Sequence, residues 1–365
     1  MPAPAPSSRS TLPLARRPGG RLQIGSSPRS GSVAGPFAEA DLTSLLAPGG
    51  AGPSERRAQR VLDDLVAVGA VPAGRVRSGA DGLAAAPGTA GWAADAVAWS
   101  SYDPSGPVAV QRLAGRRSAV VAVVGCGRTG AGLLSLLAAA GVGGLLAQDA
   151  APVAAGDTGP AGPRPEELGL PRGPVALRRA RRVAGRVHPA ASARADEPAR
   201  ADLVVLVDHH AADAVAADGL VAEGVPHLSV VLRDTDALVG PLVLPGTTPC
   251  LRCLDLHRTD ADPGWPGVRD RFVRGTGGTV EETATASALA GLAALQVLAH
   301  LDGGRAASTG ATLELLLPEG VVQQRPWAPH PQCGCVDLPV TTAPTDRPAA
   351  RPRAGSAAGG GGGVG

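Results

Sequence analysis

Two tight cysteine pairs, Cys250/Cys253 and Cys333/Cys335, constrain this chain more than any other feature. They hold four of its five cysteines and lie about eighty residues apart, so a fold that uses them together must bring two distant segments to one point. Four thiolates at one point suit a closed tetrahedral zinc site, with no coordination position left for a substrate. Such a site is structural, a staple between segments. Two unrelated reduced pairs are the remaining alternative. Two disulfides fit less well. A Cys333–Cys335 bridge would close a very small strained loop, and Met1 to Arg9 lack the apolar run of an export signal.

The chain has 365 residues, 44% of them hydrophobic, enough for two domains and a sizeable core. A net charge of +2 gives no case for nucleic acid or a membrane surface as partner. The near-uncharged stretch from Gly130 to Ala147 is about long enough to span a bilayer. Gly141, Gly143 and Gly144 interrupt it, so it reads as a buried helix, a glycine turn and a buried strand, and the expectation is a soluble cytoplasmic protein. The sequence contains no lysine and no asparagine. Any role that those side chains play elsewhere must here fall to another residue.

Residues 1–20 read as disordered and 21–115 as a small α+β module of winged-helix-like size. Strand character lies at Arg21–Ile24 and Ser32–Ala34, and helical spacing at Ala38–Leu46 and Ser54–Val68. From 116 to 338 apolar β-branched runs alternate with helices. Strands are expected at Ser118–Val124, Gly144–Gln148, Asp202–Val207 and His227–Leu232. Helices are expected at Ala131–Ala140, Pro174–Val187, Ala211–Glu223 and Thr283–Leu301. A hairpin over Thr312–Leu317 and Val321–Arg325 follows, and 339–365 reads as a disordered tail. This alternation predicts an α/β fold with a doubly wound, mostly parallel sheet.

Gly125-Cys-Gly-Arg-Thr-Gly130 follows the first buried strand and opens a helix, the setting in which G-x-G-x-x-G binds phosphate. Gly125 permits the tight turn, Gly127 lets backbone amides approach an anion, and Gly130 allows close packing of helix on strand. The helix start offers free N–H groups and the positive end of a dipole. Asp149 ends the second strand, where an acidic side chain can accept from ribose hydroxyls. Cys126 lies inside the loop, either packed or, as a thiol at a helix start, reactive.

Together these stretches resemble the ThiF/MoeB/HesA family, bacterial relatives of ubiquitin-activating enzymes, over roughly residues 115–337. The resemblance is carried by Val123-Val-Gly-Cys-Gly-Arg-Thr-Gly130, Ala140-Gly-Val-Gly143, Asp149, Leu203–Asp208, Thr248-Pro-Cys-Leu-Arg-Cys-Leu254, Ala284–Leu301 and Cys333-Gly-Cys335. It implies a Rossmann-like sheet with a structural zinc ion on Cys250, Cys253, Cys333 and Cys335. It implies ATP and Mg²⁺ as ligands and adenylation of the C-terminal carboxylate of a small protein or peptide. By resemblance Asp149 binds the ribose, Asp208 holds Mg²⁺ and Arg128 reaches a phosphate. Family members are usually homodimers, and an amino-terminal module before such a domain resembles proteins that grip a leader peptide during peptide maturation.

The chain departs from the family pattern at several places. The N-x-x-R-Q stretch after the second strand is absent, the second acid of D-x-D is Ala151, and the phosphate-binding lysine cannot exist here. Arg164 is the candidate for the missing arginine and Arg172 for the lysine, with Arg178 competing. The segment Asp260–Thr283 contains no cysteine, so covalent relay through sulfur is not expected. A second reading is therefore a catalytically degraded, zinc-stapled scaffold that binds a leader peptide or a maturation enzyme. A third is a nicotinamide oxidoreductase, although no Tyr–Lys proton relay can exist without lysine. His209 and His210 are the histidines best placed for chemistry, and His257 is an alternative zinc ligand.

Overall fold

The computed structural model describes residues 14–24, 32–34, 38, 95, 115–160, 162–184, 188–189, 201–273 and 281–337. The helix expected over Ala38–Leu46 (Ala38 apart), that over Ser54–Val68, the segment 274–280 and the tail from 338 lie outside these residues. Near the amino terminus β1 (Leu14–Arg17), β2 (Arg21–Ile24) and β3 (Ser32–Ala34) form a small antiparallel sheet in that order. β2 and β3 stand where the sequence puts strands. β1 begins inside the stretch expected to lack structure, because Leu14–Arg17 pairs with Arg21–Ile24 across a Pro18-Gly19-Gly20 turn.

The second sheet begins with β4 (Val120–Val124), α1 (Arg128–Ala139), β5 (Gly144–Gln148), α2 (Arg172–Ala184) and the short β6 (His188–Pro189). It continues with β7 (Leu203–His209), α3 (Ala214–Ala222), β8 (His227–Leu232) and β9 (Asp236–Val243). Helices α4 (Leu251–Ala261), α5 (Trp265–Val273) and α6 (Thr283–Leu301) follow, then β10 (Ala311–Leu316) and β11 (Val321–Pro326). The strand order is β11-β10-β9-β8-β7-β4-β5-β6. The strands from β6 to β8 pair in parallel, and β9, β10 and β11 complete the sheet in antiparallel fashion. β4 and β7 are neighbours, yet the chain leaves them in opposite directions, which opens a crevice at their carboxyl ends. That crevice is the place to look for a ligand.

β4 is buried on both faces. Val121 and Val123 pack with Leu133, Leu134 and Leu137 of α1 and with Leu289, Ala293 and Val297 of α6, while Ala122 packs with Ala217 of α3 on the other side. Each fully buried Leu or Val contributes about 1.5–3 kcal/mol. Among the described helices α6 is the one long and apolar enough to cross a membrane. Here its Ala286, Leu289, Ala290 and Ala293 line the core instead. Glu282 starts α6 by accepting from the N–H groups of Ala284 (3.0 Å) and Thr285 (2.7 Å). Asp302 caps its other end and is gripped by Arg116, through Nε at 2.7 Å and Nη2 at 2.5 Å. Arg116 Nη1 also donates to Ala140 O, just beyond α1, at 3.1 Å.

The sheet and its crossover helices agree with the sequence, with ends moved by a few residues. The sequence expectations did not include β6, β9, α4 and α5. β9 contains Gly240-Pro241, which reads as a turn. In the sheet it is accommodated by a register shift between Leu228 and Val230 on the neighbouring strand.

Candidate functional site

β4 carries the glycine loop to the carboxyl edge of the sheet. Gly125 has φ +86°, and a Cβ there would strike the carbonyl of Val207 on β7. A Cβ on Gly130 would strike the carbonyl of Gly125 and meet Val123 Cγ1 at 3.5 Å. The loop can turn this tightly only with glycine at both places. It is then pinned to β5, because the N–H of Gly125 donates to Gln148 O at 3.1 Å and that of Cys126 to Asp149 Oδ2 at 2.8 Å.

Asp149 is heavily committed. Its Oδ1 accepts from the N–H of Ala151 at 3.0 Å and from Arg172 Nη2 at 3.3 Å, and Arg172 Nε lies 2.9 Å from Oδ2 as an ion pair. Arg172 also reaches Asp157 Oδ1 with Nη1 at 3.3 Å. A carboxylate has about four acceptor positions, so a ribose hydroxyl would have to displace Arg172. Of the three arginines considered, Arg172 is the one brought to the loop. Arg164 is exposed and uses its backbone N–H to bond Glu167 Oε2 at 2.9 Å, and Arg178 pairs with Glu167 at 3.8 Å.

Asp208 and His209 end β7 on the opposite wall of the crevice. Burial pushes the Asp208 carboxyl up to about 6, against a hydrogen bond donated by the N–H of Asp213 at 3.2 Å. A cation placed there would bring it back down. His210, at φ 65°, turns away and stacks on Phe272 with ring centres 5.5 Å apart.

Glu281, just ahead of α6, is a site residue the sequence reading missed. Its Oε2 accepts from both the N–H and Oγ1 of Thr129, each at 2.6 Å, and Oε1 lies 3.3 Å from His209 Nε2. A Cβ on Gly127 would strike the same Oε1. Burial alone would raise the Glu281 carboxyl, but the bonds from His209 and Thr129 outweigh it and hold it low. Arg128, expected to reach a phosphate, donates from Nη1 to Glu281 O at 2.6 Å and to Thr283 Oγ1 at 3.2 Å. The available signal was the double acid ahead of an apolar helix. Glu282 alone suffices for the cap, which leaves Glu281 for another task.

Cys126 is fully buried, and burial followed by the charge of Asp149 pushes its thiol up to about 12. It packs inside the loop, shielded from solvent. The other four cysteines converge. Cys250 is the N-cap of α4 and Cys253 lies in its first turn, while Cys333 and Cys335 flank Gly334 at φ +71°. The Sγ–Sγ distances are 4.0 Å for Cys250–Cys253, 3.4 Å for Cys250–Cys333 and 3.4 Å for Cys253–Cys335, and all four sulfurs lie within 4.8 Å of one another. Sulfurs at about 2.3 Å from a tetrahedral zinc are about 3.8 Å apart, so the donor set fits that ion. The start of α4 also favours thiolates.

A second cluster beside it, His257, Asp260 and His330, does not have the bonding of a ligand set. His330 Nδ1 accepts from the N–H of Gln332 at 3.1 Å, which leaves Nε2 to donate to Asp260 at 2.9 Å. His257 Nε2 faces Ala328 O at 3.0 Å. These contacts tie α4 to the segment that carries Cys333. His257 is engaged there and not among the four sulfurs.

A model of the ThiF family matches residues 106–335, more than half of the chain, and the chain belongs to that family. Among solved structures, E. coli MccB with succinimide is similar at 15% identity and a TM-score of 0.62, covering 90% of this chain and 97% of that one. E. coli MccB with ATP is similar at 14% identity and a TM-score of 0.61, covering 89% and 98%. A selenomethionine form of PaaA is similar at 15% identity and a TM-score of 0.61, covering 87% and 98%. At such identities the likeness is one of fold. No curated protein matches the sequence.

Proposed function

We propose that this ThiF-family chain uses ATP to activate the C-terminal carboxylate of a small protein or peptide in the cytoplasm. The observation that carries the reading is the meeting of the glycine loop, Asp149, Arg172 and Asp208 in one crevice at the carboxyl ends of β4, β5 and β7. In the reaction a carboxylate oxygen attacks the α-phosphorus, the bond to the β-phosphate breaks, and pyrophosphate leaves with its electron pair. Catalysis of such a step is mostly charge neutralisation and in-line positioning. Arg172 supplies fixed positive charge to the phosphates once it leaves Asp149. Asp149 then takes the ribose, and Asp208 holds Mg²⁺, which neutralises the phosphates. Arg164 and Arg178, both engaged with Glu167, are secondary candidates. The cysteine cluster holds structural Zn²⁺, and with Cys126 buried no thiol is available to carry the product.

The MccB structures support this choice of ligands. They include complexes with ATP, with AMPCPP and MccA, and with N-formylated MccA, in which MccB is described as the microcin C7 biosynthetic enzyme. The test is exchange of labelled pyrophosphate into ATP in the presence of peptides with a free C-terminus. Exchange that vanishes in Asp208→Ala supports the reading, and background exchange with every peptide defeats it.

One observation favours a second reading, a scaffold that holds a leader peptide or a maturation enzyme without catalysis. Arg172 and Glu281 satisfy the loop internally, and the family's N-x-x-R-Q, second aspartate and lysine are missing. This reading expects peptide binding that survives Asp208→Ala and no calorimetric signal from ATP. Either form is consistent with a homodimer, to be read from the sedimentation of the full chain.

A further inference from the structure

The start of α1 is occupied by an anion that belongs to the chain itself. We infer that Glu281 is a built-in tenant of the phosphate seat, which must withdraw before the loop can take an anionic ligand. The inference rests on the reading that this loop binds phosphate groups.

A helix start attracts anions because its first N–H groups are unpaired and the dipole is positive there. The Glu281 carboxylate takes that place with two short bonds from Thr129 and a third contact from His209, and only 6% of the residue is exposed. A charge so far from water is stable only while those donors serve it. Its Oε1 also fills the space beside Gly127 that a glycine loop keeps clear for an approaching phosphate.

The same segment holds Arg128. The guanidinium spends Nη1 on the Glu281 carbonyl and the Thr283 hydroxyl, while its Nε is buried with no partner, so only part of it can serve a ligand while Glu281 is seated. Withdrawal of the Glu281 carboxylate removes a negative charge from the loop, and a shift of the Glu281 backbone would in addition free Arg128 Nη1. Because Glu281 directly precedes Glu282, the N-cap of α6, the movement is felt in the first turn of that helix. Occupancy of the loop and the geometry at the start of α6 become one equilibrium.

The experiment titrates the full chain with pyrophosphate, and separately with ATP and Mg²⁺, by calorimetry. Wild type is compared with Glu281→Gln and Glu281→Ala after thermal unfolding shows that each is folded. Both variants are expected to bind pyrophosphate at least about tenfold more tightly. Glu281→Gln keeps the shape and an acceptor for Thr129, so it carries the test alone if Glu281→Ala does not fold. Pyrophosphate affinity that is unchanged or weaker in a folded variant overturns the inference. Tighter pyrophosphate binding with ATP still silent supports the inference and counts against the nucleotide reading. ATP binding by wild type, with no gain in either variant, does the reverse.

Discussion

The cysteine cluster and the glycine loop each gather polar groups around a charge, but they balance that charge in opposite ways. At the cysteine cluster contact with Cys253 and burial hold Cys250 up as a thiol, so four thiolates cannot share the point without a cation. At the glycine loop Glu281 answers the Thr129 N–H and Arg172 answers Asp149, so the balance is complete without a ligand. The first region offers a donor set that an outside cation such as zinc would balance. The second has to give up internal partners before it can accept a ligand. In the same fold, convergence of ligating groups therefore means assembly in one place and competition in the other.

The largest effect expected from breaking this contrast is loss of metal. Structural zinc sites of this kind contribute about 10–16 kcal/mol of apparent free energy, comparable with the entire stability of a typical domain. A strong chelator, or Cys253→Ala, should release zinc and unfold the lobe that joins α4 to Cys333-Gly-Cys335. Zinc release and the near-ultraviolet dichroism of Trp265 and Trp327 report this, and a chelated chain with an unchanged spectrum would mean that the cluster needs no cation.

Next in size is Gly130→Ala. Its Cβ would strike the Gly125 carbonyl, and forcing an atom into such a place costs about 3 kcal/mol. The loss should appear in urea unfolding as a lower midpoint with an unchanged slope.

Asp208 tests whether the crevice has a vacancy after all. Its carboxyl sits at about 6 in the folded chain against 3.8 when free, so the folded state binds the proton more tightly. Stability from this group is therefore fully present below about pH 4 and falls as pH rises through about 6. Asp208→Asn should flatten that slope and stabilise the chain by about 2 kcal/mol at pH 7. Chemical denaturation from pH 4 to pH 7 shows whether it does. A difference between wild type and Asp208→Asn that does not grow between pH 4 and pH 7 would mean that a cation already balances this carboxylate.

The smallest effect is a control that lies outside both regions. Gly291 is inside α6 with nothing within 4 Å of its would-be Cβ, so Gly291→Ala should stabilise by about 0.5–1 kcal/mol. Together with Gly130→Ala it separates glycines that the loop requires from glycines that the helix merely tolerates, by the sign of the change in melting temperature.

Elements with a strong local period were plain in the sequence. β8 and α6 have the bounds expected, because a run such as His227–Leu232 and the apolar helix from Thr283 are defined by their own residues. β9 was hidden because Gly240-Pro241 contradicts a strand locally, and only its neighbours hold it in the sheet. The cysteine site was legible because its ligand type and spacing repeat. The loop was legible as glycines, but its occupant was not, since Glu281 meets Thr129 across 152 positions and no periodicity links them. The contacts that Asp149 and Arg128 make here were hidden for the same reason. Their partners come from distant segments, and those segments compete with the ligand.

The Arg116–Asp302 pair bears on where this protein can be cut. Asp302 is wholly enclosed and its charge is answered from the residue stretch just ahead of β4, with Asp95 a further 3.2 Å contact of the same guanidinium. A shortened chain that began at Arg117 would keep every strand of the large sheet and still leave a carboxylate stranded where α1 and α6 end, a defect of about 3–5 kcal/mol. A shortened chain meant to keep the large sheet intact should therefore begin no later than Arg116, a limit set by a buried charge and not by the first strand.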